Sequence, residues 1–128
     1  MIYKVHTKTN ITTIQAEIEE KAKAHGFGVL KCYPFQEMLE EKGQPIDKAI
    51  FVYELCNPVG AKKVLTEIPE ISAFLPCRIS VYQEGENTVL ATIALERILS
   101  GLTISKELND YMTNLFETFK KICHSWDD

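Results

Sequence analysis

The end of the chain constrains the fold more than any other part. Beyond Ser105, the residues Leu108, Tyr111, Met112, Leu115, Phe116, Phe119, Ile122, Cys123 and Trp126 recur at three- and four-residue spacing. That spacing puts them on one stripe of an amphipathic helix. A stripe this wide is core packing and not a cofactor box, and it must lie against another element. Its load of large side chains exceeds what one sheet face of a small domain readily covers, so part of it is expected to meet a second subunit. Phe116 and Phe119 are assigned to the intramolecular core. Trp126 would fray unless held, so it is expected to contact the sheet or a partner chain.

The rest of the chain supplies strands for that helix to cover. The strongest runs from Ala49 to Cys56, with Ile50, Val52, Glu54 and Cys56 on one face and Ala49, Phe51, Tyr53 and Leu55 on the other. Ile2 to Thr7, Gly28 to Tyr33, Cys77 to Tyr82 and Thr88 to Ala94 also read as strands, the last two joined as a hairpin across the polar turn Gln83 to Asn87. Thr12 and Gln15 have capping-box spacing before Ile14, Ile18 and Ala22, so a helix is expected to start near Thr12. It should end at His25-Gly26. A short helical turn follows Pro34, and a helix from Val59 to Glu67 ends at Pro69. No linker or repeat divides residues 1-128, so a single mixed α and β domain is expected.

Composition narrows the function. A net charge of -4 with the basic residues scattered gives no footing for nucleic acid. No stretch is apolar and long enough for a membrane span, and Lys4 and His6 interrupt what would be a signal core, so a cytoplasmic protein with no membrane partner is expected. Cys32, Cys56, Cys77 and Cys123 form no C-x-x-C pair and are expected to be free thiols. No Ser/His/Asp order, phosphate-cradling glycine loop or paired-acid motif is present, so the chain leans away from an enzyme.

Three stretches carry a family likeness: His25-Gly26-Phe27-Gly28-Val29, then Val52 to Pro58 with Ala61 following, then Leu75-Pro76-Cys77-Arg78-Ile79-Ser80-Val81-Tyr82. In order and spacing the chain from Tyr3 to about Ala94 resembles the domain of unknown function 302 family. The resemblance implies an α+β fold of β-α-β(4)-α order, an antiparallel sheet with helices packed on one face. It also implies a homodimer, and it brings no established reaction.

The residues suggest one candidate site. If the strands ending at Cys56 and starting at Cys77 are antiparallel neighbours, both cysteines sit at the same sheet end. Arg78 and the helix after Asn57-Pro58 could each lower a thiol pKa there, and Glu54 could add a carboxylate. Glu54 itself, a carboxylate in an apolar strand, has to be exposed, hydrogen-bonded or paired. The expected ligand-binding set is therefore Glu54, Cys56, Asn57, Cys77 and Arg78, with Cys56 and Cys77 as ligands of any soft metal ion such as zinc. His6, His25 and His124 do not cluster in sequence, and His25 is expected to cap its helix. The leading expectation is a small homodimeric, non-catalytic binding module for a small ligand or soft metal ion near Cys56/Cys77. Thiol-based redox or sulfur handling, and a purely structural oligomerisation domain, are the alternatives.

Overall fold

The computed structural model describes all residues from Met1 to Asp128. Five strands, β1 (Ile2–Thr7), β2 (Gly28–Pro34), β3 (Ile50–Cys56), β4 (Cys77–Glu84) and β5 (Asn87–Ile93), form one sheet of order β1-β5-β4-β3-β2, every neighbouring pair antiparallel. The helices are α1 (Ile11–Ala24), α2 (Phe35–Glu41), α3 (Pro58–Glu67), α4 (Leu95–Leu99) and α5 (Lys106–Cys123), and a 3-10 turn spans Pro69–Phe74. With α2, α3 and α4 counted as excursions, the order is β-α-β(4)-α, an α+β fold. No helix is long and apolar enough to cross a membrane.

Register explains the two faces of the sheet. Val5 pairs with Leu90, Leu90 with Val81 and Val81 with Phe51, while Ile79 pairs with Tyr53. Directly paired residues share a face. With Leu55 these residues face Ile14, Ile18 and Ala22 of α1, Val64 of α3 and the apolar stripe of α5, and together they make one hydrophobic core. The opposite face, with Val52, Ser80, Ala91 and Lys4 in one cross-strand row, carries no core helix.

Two local expectations change. Helix α1 begins at Ile11 because Asn10, extended and just ahead of it, accepts a hydrogen bond from the Thr12 amide at 2.8 Å. Asn10 thus takes the cap assigned to Thr12. The hairpin turn is tighter than expected, since Glu84 still pairs with Asn87 and Gly85, at φ 62°, makes the reversal. The end of α1 is as read: Gly26 has φ 82° and the Phe27 amide donates to the Ala22 carbonyl at 2.9 Å.

The stripe of α5 is covered by its own chain. Leu108, Met112, Phe116, Phe119, Ile122 and Cys123 are buried, and Tyr111 and Leu115 partly so. Helix α4, which the sequence did not disclose, brings Leu95 and Leu99 against it, and α3 flanks the other side. That is why no overflow onto a second subunit is needed for these side chains. Trp126 is buried too: its indole Nε1 donates to Glu17 at 2.8 Å and its carbonyl accepts from the Thr7 hydroxyl at 2.5 Å. Lys8, just beyond β1, donates its amide to the Asp128 carboxylate at 3.0 Å, so the tail docks on β1 and α1 and does not fray.

Candidate functional site

Strands β3 and β4 are antiparallel neighbours, with Leu55 opposite Cys77. Cys56 and Cys77 therefore sit at one sheet end, where both line a cleft of about 310 Å³. Its walls come from the last residues of β3, from α3 (Gly60, Ala61, Val64, Leu65), from the connection into β4 and from Met112 and Leu115 of α5. No Asp, Glu, Lys, Arg or His lines it. A larger groove of about 680 Å³ between α3 and the start of α5 is by contrast open and ringed by Lys62, Lys63, Glu67 and Glu107.

The cleft exists because of how α3 starts. Asn57 caps α3, its Oδ1 accepting from the Gly60 amide at 2.8 Å, while its Nδ2 donates to the Gly26 carbonyl at 2.9 Å. One side chain thereby fixes both the entry angle of α3 and the α1–β2 turn. Gly60 then lets α5 approach: a Cβ there would fall inside van der Waals contact of Leu115 Cδ2.

The five residues expected to form the site divide into two groups. Cys56, Asn57 and Cys77 line the cleft. Glu54 and Arg78 do not, because they pair directly across β3 and β4 on the helix-free face. The Arg78 guanidinium donates to Glu54 Oε2 at 3.1 Å and the Tyr33 hydroxyl donates to Oε1 at 2.9 Å. Glu54 is thus buried, paired and hydrogen-bonded, a closed structural unit rather than a donor to the cysteines. The hydrogen bond to Glu54 also holds the Tyr33 hydroxyl above its ordinary pKa.

Arg78, committed to Glu54, does not activate the neighbouring thiol. Burial, with a further contribution from Cys56, pushes the Cys77 thiol up to about 11. A nucleophilic cysteine needs the opposite shift. All four cysteines are free. The zinc expectation also meets an obstacle, since a structural zinc ion takes four ligands and no group of three or more His, Cys, Asp or Glu side chains comes together anywhere in the chain. The histidines stay apart: His6 lies 3.8 Å from Glu84, and His124 bridges the Tyr3 hydroxyl and, at 2.9 Å, Asp127. His25 occupies the C-cap of α1 as read.

Sequence reasoning missed Phe27, Gly60 and the α5 wall of the cleft. Met112 and Leu115 were read only as core stripe, and nothing local separates a stripe residue that fills the core from one that lines a cleft beside it.

An antiparallel α+β sheet with one helical layer and an uncharged cleft at its end defines the class. The sequence matches the family described as domain of unknown function DUF302 over residues 3–125, and the chain belongs to that family. It is similar to the crystal structure of an uncharacterized conserved DUF302 protein from Bacillus stearothermophilus, with a TM-score of 0.87 at 27% identity, covering 98% of this chain and 97% of that one. No curated protein matches the chain.

Proposed function

We propose that this protein is a small, non-catalytic binding module whose cleft at Cys56 and Cys77 receives a small ligand or a soft metal ion, and that it acts as a homodimer. The observation that carries the reading is the cleft itself: about 310 Å³, mostly apolar and free of charged side chains. Those are the properties of a ligand pocket, in which buried apolar area supplies affinity and a few polar atoms supply orientation. The raised pKa of Cys77 counts against nucleophilic thiolate chemistry there.

Support for the homodimer comes from the helix-free sheet face. Ile2 and Ile93 are paired on that face and exposed at 63% and 49%, with Ala91 in the next row, and Ile50 and Val52 lie on the same face further across the sheet. Sedimentation of the protein and of Ile93→Asp tests it, and a monomeric parent protein would remove it.

The cleft is tested with N-phenyl-1-naphthylamine, an uncharged fluorescent probe, on the parent protein and on Ala61→Phe, which narrows the cleft. Saturable binding that Ala61→Phe abolishes is expected. Failure of the parent to bind either this probe or any copurifying molecule seen by native mass spectrometry would overturn the reading.

A further inference from the structure

Alternation along β1 turns Tyr3, Val5 and Thr7 toward the helices, and the docked tail brings the end of α5 against that edge strand. Tyr3 there meets His124, the C-cap of α5, with the two rings edge to face and their centroids 5.8 Å apart. His124 Nδ1 lies 2.9 Å from Asp127 Oδ2 and 3.1 Å from Oδ1, and the Asp127 amide donates to the His124 carbonyl at 3.2 Å, which holds the carboxylate in place. These hydrogen bonds fix one another. An ionised carboxylate only accepts, so Nδ1 carries the proton; in the neutral ring Nε2 is then the acceptor, and the Tyr3 hydroxyl donates to it. A hydroxyl bonded to an imidazole base that a carboxylate orients is the arrangement that activates an oxygen nucleophile. We propose that Tyr3 is a modification site for activated acyl groups, with His124 as the base that takes its proton and Asp127 as the positioning residue that holds His124. None of the three lines the Cys56/Cys77 cleft, so the inference is independent of the binding module.

The step balances without a redox partner. Tyr3 Oη attacks the carbonyl carbon of an activated ester, and its proton passes to His124 Nε2 as the new oxygen–carbon bond forms. The bond from that carbon to the leaving group breaks, and the leaving group departs with the electron pair. His124 then gives its extra proton to solvent. The product is one tyrosine ester per chain, and no turnover is required.

Access and charge suit that step. The side chains of His124 and Asp127 are 41% and 54% exposed, so a small reagent reaches the cluster. Lys120 lies over the Tyr3 ring, its Nζ 5.1 Å from the centroid, and is itself paired with Glu117 at 2.8 Å and Glu96 at 3.7 Å. Burial raises the Tyr3 pKa and Lys120 offsets part of that rise, so the phenol keeps its proton at rest and reacts only as the imidazole removes it. Tyr82 and Tyr111, half-buried like Tyr3, also carry a lysine over the ring but have no hydrogen bond to an imidazole, which makes them internal controls.

The probe is p-nitrophenyl acetate, with acid-quenched samples mapped by peptide mass spectrometry. Neutral hydroxylamine removes a tyrosine ester but leaves acetyl amides at the N-terminus and Lys4, so the two are told apart. In the parent protein Tyr3 should be acetylated at least about 100-fold faster than Tyr82 and Tyr111, the low end of what a positioned base contributes. That comparison needs no variant to fold. His124→Asn removes the base and should bring Tyr3 down to the rate of those two tyrosines. Asp127→Ala should slow Tyr3 by at least about tenfold, because Nδ1 loses the acceptor that keeps the proton on it. Nitrogen-15 NMR of the His124 ring reads that cause directly: the proton is expected on Nδ1 in the parent and on Nε2 in Asp127→Ala, whereas a carboxylate that only fastened the tail would leave the tautomer unchanged. Tyr3 reacting no faster than Tyr82 and Tyr111 in the parent, or at full rate in His124→Asn, would overturn the site. An unchanged tautomer in Asp127→Ala would overturn the role of Asp127.

Discussion

Replacing Trp126 with alanine removes the side chain that fastens the C-terminal tail. A buried tryptophan withdraws roughly 150–250 Å² from water, which at about 25 cal/mol per Å² amounts to ~4–6 kcal/mol. An extended-chain reference overstates such burial by roughly 10–40%. The substitution also leaves Glu17 without its indole donor and frees the tail whose carbonyl accepts from Thr7. We expect a loss of about 3 kcal/mol, which for a domain of this size lowers Tm by roughly 10–15 °C. Urea unfolding followed by circular dichroism measures it, with an unchanged m-value as the check that the change is one of stability. Trp126→Phe keeps most of the ring and loses only the Nε1 hydrogen bond, so it should cost about 1 kcal/mol. Sedimentation should be unaltered in both, because every contact of Trp126 described above is within one chain. A loss under about 1 kcal/mol in Trp126→Ala would refute the reasoning, since it would mean that the tail contributes nothing to the native core.

Other consequences are equally direct. Asn57→Ala removes the cap of α3 and the tie to Gly26 together, and should destabilise by about 1–2 kcal/mol in the same urea assay. Gly60→Ala gains helix propensity but drives a methyl group into Leu115, so a net loss of about 1 kcal/mol is expected, with weaker probe binding because Leu115 lines the cleft. The pH dependence of stability follows from groups whose pKa values are raised in the native state: Tyr3, chiefly by burial, Tyr33, by its hydrogen bond to Glu54, and the thiols of Cys77, to about 11, and Cys123, to about 12, both by burial. The folded chain holds these protons more tightly than the unfolded chain, so their contribution is complete below the ordinary thiol range. It is lost as pH rises from about 9, the ordinary thiol value, through 11 and 12. The urea midpoint should therefore fall between pH 8 and pH 10.5, and fall less steeply in Cys77→Ala; an unchanged slope in that variant would contradict the burial of the thiol.

Much of the architecture was legible because it is written in periodicity. The alternation of β3, the three- and four-residue spacing of α5 and the Gly26 and Gly85 reversals are local signals, and each sets backbone geometry without help from distant residues. The position of Cys56 and Cys77 at one sheet end followed from strand polarity once β3 and β4 were taken as neighbours. What tertiary structure alone decided was which partner each polar group finds. Glu54 was conspicuous in the sequence, but whether it served the cysteines or Arg78 depended on the cross-strand register, and a register that sets Glu54 opposite Arg78 turns both away from the cleft. Covering of the α5 stripe likewise depended on α4, a five-residue helix too short to announce itself by periodicity. Met112 shows the limit most clearly. Its place in the apolar stripe is fixed by spacing, but that it also lines the Cys56/Cys77 cleft depends on how α5 lies beside α3, where Gly60 lets Leu115 come close, a long-range arrangement that no local pattern encodes.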